Sequence, residues 1–153
     1  MLKRTHIALG LAIALYFLPH INGNKFIFLG VVLLASLLPD LESGFAAARH
    51  HGLFGLDQTK MVYHKNHIIH TYTFLIPLTI ILAIISPFLA LPFFLGYSFH
   101  IFLDSFSING IRPFWPLKHK AHGKISPGGH IDHVLFYIFL GMDVIVLFMF
   151  VMS

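Results

Sequence analysis

His100 and Asp104 stand four residues apart in GYSFHIFLD (Gly96–Asp104), near the end of a long apolar run. On a helix that spacing projects both from one face, one turn apart. An imidazole and a carboxylate so placed suit a divalent metal ion. Ionisable groups at membrane depth are costly unless paired, protonated or metal-bound. The bland alternative is a buried His–Asp hydrogen bond that merely stabilises a bundle.

Other residues of the same chemistry recur at the ends of apolar runs. Asp40, in LLPDLE, directly follows one. A carboxylate at a helix C-terminus opposes the macrodipole, so helix stability does not explain it, whereas a cation would. Glu42, two residues on, is placed to be a ligand or the base that activates a water. His64, His67 and His70 repeat every third residue in YHKNHIIHT; His67 and His70 fall nearer one stripe, and His70, the deepest, is favoured as a ligand. His6 opens the first apolar run. His130, Asp132 and His133, in GGHIDH, could form a second metal site or one facing a phosphate. Arg112 could hold phosphate bidentately, and Lys118, Lys120 and Lys124 make a basic rim toward anionic head groups. Asp143, midway along the last apolar run, is expected to be protonated or bonded to a neighbouring helix. His20, His50, His51, His119 and His122 read as surface residues.

The elements that must position these groups follow from the hydropathy pattern. Apolar runs at His6–Leu18, Phe26–Leu38, Ile68–Ile85, Phe88–Phe106 and Val134–Met152 predict five membrane helices. The first two are short, 13 residues each, or about 20 Å of helix, where a full span needs about 20 residues. Pro39 is expected to end the second. A basic start before a short apolar run also fits a secretory signal, but the later runs span as well and the small-residue cleavage site is poor, so a span is expected. Pro19–Lys25 reads as a polar turn, while Leu41–Asn66 and Ser107–His133 read as two long connections. With the N-terminus cytoplasmic, nine of the ten Lys and Arg residues fall inside and Lys25 alone outside, a positive-inside pattern. That orientation (N-terminus in, C-terminus out) brings His6, Asp40, His70, His100, Asp104 and His133 to one level on the cytoplasmic side.

Composition agrees. The 153 residues are 57% hydrophobic and 10% charged, with mean hydropathy +0.81, which excludes an ordinary soluble domain. Without cysteine there are no disulfides, thiolate sites or cysteine nucleophiles, leaving His, Asp and Glu as the strong metal ligands. There is no nucleotide-binding glycine pattern and no G-x-S-x-G elbow, and no nucleic-acid partner is expected. The expected fold is a single all-α domain over 1–153, an integral membrane bundle of about five helices.

LLPDLE, the histidines ending in HIIHT, GYSFHIFLDSFSINGIRPFWP and THIALG together resemble the LexA-regulated inner-membrane metal-dependent hydrolases, the YdjM-like family. The likeness runs from His6 to Pro116, and the G-x-x-x-H-x-x-x-D arrangement is its most specific part. More distantly, an early His, an Asp, a His and then H-x-x-x-D resemble the zinc-dependent phospholipase C and P1 nuclease superfamily of all-helical phosphodiesterases. These resemblances imply His6, Asp40, His70, His100 and Asp104 as metal ligands. Glu42 stands where the family usually has Asp. The combined expectation is a membrane-bound hydrolase that cleaves a phosphoester of a lipid-like substrate at the cytoplasmic face. Zinc is the first choice of ion, in one or more copies, and manganese or iron also suit the carboxylates. A metal or proton transporter, or a non-catalytic protein with structural His–Asp pairs, would use the same residues differently.

Overall fold

The computed structural model describes residues 1–50 and 68–152, with the side chains of 42–50 and 151 excepted. Five α-helices make up the described chain: α1 (Lys3–Phe17), α2 (Lys25–His50), α3 (Tyr72–Ile85), α4 (Pro87–Ser105) and α5 (His130–Met152). Local chemistry sets their ends. A 3-10 turn at Leu18–His20 closes α1. Asn24 Oδ1 accepts from the backbone N–H groups of Phe26 and Ile27 at 3.0 and 3.2 Å, capping α2. Thr71 Oγ1 accepts from the Phe74 N–H at 3.1 Å and caps α3. Pro87 opens α4 at a position where its missing N–H is no loss.

Several boundaries differ from the sequence expectation: α1 starts at Lys3 rather than His6, and α5 at His130 rather than Val134, so His130, Asp132 and His133 lie on the helix and not in the connection before it. Pro39 does not end α2, which continues to His50. Proline removes only one hydrogen bond of the ladder, that to Ala35, and the helix runs past it. The third helix starts at Tyr72 rather than Ile68, because residues 68–70 form a turn ahead of the Thr71 cap.

Helix α4 is the centre, packed against α2, α3 and α1; α1 in turn contacts α2 and α5. The α2–α4 crossing is close enough that a Cβ on Gly96 would lie 2.2 Å from the Val32 carbonyl oxygen. At the α1–α2 crossing, a Cβ on Gly10 would lie 2.9 Å from Ser36 Oγ. Glycine at these two crossings lets three helices converge at Ser36.

Helices α4 and α5 are long and apolar enough to cross a membrane. They differ in surroundings. The spanning window of α4 is 56% buried inside the protein, that of α5 only 6%, so α5 turns most of its apolar surface outward. Helix α3 is apolar but shorter, 14 residues.

Candidate metal centre

His100 and Asp104 project from α4 toward α2, on the stripe that begins at Gly96. The close helix crossing brings His100 Nδ1 to 2.7 Å from the Ser36 carbonyl oxygen. A carbonyl only accepts, so the neutral imidazole carries its proton on Nδ1 and turns the Nε2 lone pair inward. That lone pair faces Asp104 Oδ2 at 3.5 Å and Asp40 Oδ1 at 3.9 Å, with no hydrogen-bond partner among the described residues. Metal-ligating histidines are held in this way, the outward N–H given to a carbonyl or carboxylate.

The other groups arrive from separate elements. Asp40 comes from α2, one turn beyond Ser36. His70, from the turn before α3, places Nε2 3.8 Å from Asp104 Oδ2 and 3.9 Å from Asp40 Oδ1. His6, from α1, stacks on His100 with ring centroids 4.0 Å apart and sets Nε2 3.4 Å from Asp104 Oδ1. The Met1 amino group donates to the same oxygen at 2.9 Å. All five residues are buried, none more than 7% exposed.

Asp40, His70, His100 and Asp104 each offer one ligand atom within 4.8 Å of the other three. Tetrahedral zinc, with bonds near 2.0–2.2 Å, spaces its ligands roughly 3.4 Å apart, so a small contraction would close this group on an ion. Three imidazoles and two carboxylates are also a donor set that zinc, manganese or iron accepts. The residues fit a divalent metal.

The remaining candidates are distributed as follows. Glu42 lies in α2, with its side chain outside the described residues, and His64 and His67 are outside them altogether. His130 is exposed, and His133 is half-buried with Nδ1 2.9 Å from the Gly129 carbonyl oxygen. Asp132 is fully buried, but its carboxylate accepts from Thr5 Oγ1 at 2.7 Å and from the N–H groups of Leu2 and Gly128 at 3.0 and 2.8 Å. Among the described residues, the group around His100 alone gathers three or more such ligands. Arg112 is half-buried, its Nε without a hydrogen-bond partner among the described residues; Lys118 is exposed. Both carboxylate oxygens of Asp143 are buried without a hydrogen-bond partner among the described residues. Sequence reasoning missed the Ser36 carbonyl, for which no side-chain signal exists. It also missed the Asp132 clasp, which Thr5 and the Gly128–Gly129 pair only hint at.

A family model described as YdjM inner membrane protein matches residues 1–152. The chain belongs to that family. Membership makes this an inner-membrane protein, and it agrees with the apolar faces of α4 and α5. No curated protein and no solved structure matches the chain.

Proposed function

We propose that this YdjM-family protein is a membrane-embedded, metal-dependent hydrolase that cleaves a phosphoester of a lipid-like substrate. The observation that carries the reading is the meeting of His6, Asp40, His70, His100 and Asp104, from three helices and the turn before a fourth, in one buried cluster. Two buried carboxylates gathered among three imidazoles are a good cation site.

Asp40, His70, His100 and Asp104 would hold the ion, zinc first and manganese or iron in its place. Asp104 turns Oδ2 toward this group, while its Oδ1 faces His6 and accepts from the Met1 amino group. A divalent metal bound here supplies Lewis acidity and makes water a nucleophile near neutral pH. The chain does the rest. The Ser36 carbonyl fixes the His100 tautomer, and the buried walls exclude bulk water. Glu42 is the nearest carboxylate in sequence to take the water's proton, and Arg112, with Lys118 at the rim, would orient the phosphate. The distant likeness to the phospholipase C and P1 nuclease superfamily supports phosphoester over other bonds. The positive-inside charge pattern supports all five helices lying in the bilayer, with the site at its cytoplasmic face.

The test is hydrolysis by purified protein of detergent-dispersed phospholipids with different head groups. Product formation that a chelator stops and added zinc restores is expected. Metal-loaded protein that cleaves none of them would contradict the reading.

A further inference from the structure

The connection between α4 and α5 has a composition that a cation site does not explain. Residues 105–131 hold Arg112, Lys118, Lys120 and Lys124, with His119, His122 and His130, and no carboxylate. Lys118, Lys120 and Lys124 are exposed. Beside them Phe114, Trp115 and Leu117 are also exposed, at 53%, 38% and 64%. An apolar turn left in water next to a run of cations would be a liability; at a membrane surface it is an anchor.

The fold holds this segment in shape. Ile111 and Ala121 exchange backbone hydrogen bonds at 2.8 and 2.9 Å, and the Ile108 N–H donates to the Ile125 carbonyl at 3.0 Å. The Tyr72 N–H donates to the Pro113 carbonyl at 2.7 Å, and the Tyr72 ring stacks on Phe114 at 5.6 Å. The segment also joins the two helices long enough to span, Pro87–Ser105 and His130–Phe150, so both of its ends emerge at one face of the bilayer.

We propose that the α4–α5 connection is a preformed docking surface for anionic phospholipid head groups, with Phe114, Trp115 and Leu117 seated at the interface and Lys118, Lys120 and Lys124 on the phosphates. Charge complementarity selects the occupant: the surface carries only positive charge, and its wedge is apolar. A soluble polyanion would satisfy the lysines and leave the aromatic turn unused. The proposal shares Lys118 with the hydrolase reading, otherwise stands apart from it, and needs no metal.

Trp115 is the only tryptophan of the chain, so its fluorescence reports on this turn directly. The full-length protein is placed in nanodiscs of phosphatidylcholine, and in others in which half is replaced by phosphatidylglycerol. Expected in the anionic discs are a blue-shifted emission and weaker quenching by a water-soluble quencher. Both should fade as salt rises from about 0.1 to about 1 M, where the Debye length falls from about 10 to about 3 Å. Native mass spectrometry should find phosphatidylglycerol retained over phosphatidylcholine. Joint Lys118→Gln, Lys120→Gln and Lys124→Gln substitution should weaken that preference on the order of tenfold or more, and the matching Arg substitutions should keep it. Identical emission and quenching in the two discs, or a glutamine variant that keeps the preference, would overturn the proposal. So would a response to soluble heparin with none to phosphatidylglycerol. Should the glutamine variant fail to fold, the salt-dependent comparison in the native protein decides alone.

Discussion

Asp104 and Asp132 are both fully buried carboxylates beside the N-terminal segment, and their surroundings are opposite in kind. Asp132 accepts from a hydroxyl and two backbone N–H groups, so its charge is satisfied by donors that the fold itself supplies. Asp104 faces the ring nitrogens of His6, His70 and His100 at 3.4, 3.8 and 3.5 Å. Among the described residues, its backbone-derived donor is the Met1 amino group, at 2.9 Å. Burial and residue type are the same in both places, and the identity of the hydrogen donors separates them. A carboxylate held by fixed neutral donors is a structural clasp; one shared among an ammonium group and three imidazoles is placed to take a cation.

The contrast can be broken most sharply by exchanging treatments of the two sites. Asp104→Asn or His100→Ala should abolish metal retention. The accompanying fall in chelator-sensitive activity should exceed the 10–100-fold typical of losing a mere outer-shell partner. Asp132→Asn should keep both metal and activity, since an amide can still accept from the two N–H groups and donate to the Thr5 hydroxyl. Metal lost equally in both asparagine variants would erase the distinction.

Next in size is Asp132→Ala, which strands the Thr5 hydroxyl and the N–H groups of Leu2 and Gly128. At about 1–3 kcal/mol for each buried group left unsatisfied, a loss of a few kcal/mol is expected by thermal unfolding in detergent. Gly96→Ala comes next. Its Cβ would meet the Val32 carbonyl oxygen at 2.2 Å, so α2 and α4 must part, at about 1–3 kcal/mol. Because Asp40 and His100 sit on the two separated helices, metal affinity should fall as well. The smallest effect should come from Asp143→Leu. That carboxyl has no hydrogen-bond partner among the described residues, so an apolar replacement should leave stability unchanged or raise it by about 1 kcal/mol.

The side-chain chemistry of the site was legible because it repeats at helix ends. His100 and Asp104 share a face by their spacing alone, and the alternation of apolar runs places His6, Asp40 and His70 at the same level. The backbone features were not legible. Pro39 reads as a stop, yet α2 continues past it, because one missing N–H is tolerated where neighbouring helices pack on both sides. The turn that presents His70 was hidden inside an apolar stretch, although Thr71, followed three residues later by Phe74, is the cap that creates it. For Asp132, the sequence neighbours His130 and His133 pointed to a ligand cluster. Its actual partners are the nearby Gly128 N–H and, some 130 residues earlier, Leu2 and Thr5; no local pattern records the two distant contacts. Among the described residues, α4 and α5 are long and apolar enough to span by themselves; α1 and α3 are shorter, 15 and 14 residues.

The most direct test of a cation centre is elemental analysis of the purified native protein beside His100→Ala and Asp132→Asn. The account predicts a divalent metal near stoichiometric in the native and Asp132→Asn proteins and absent from His100→Ala. Native protein free of metal after purification without chelators, or His100→Ala protein that retains the ion, would contradict it.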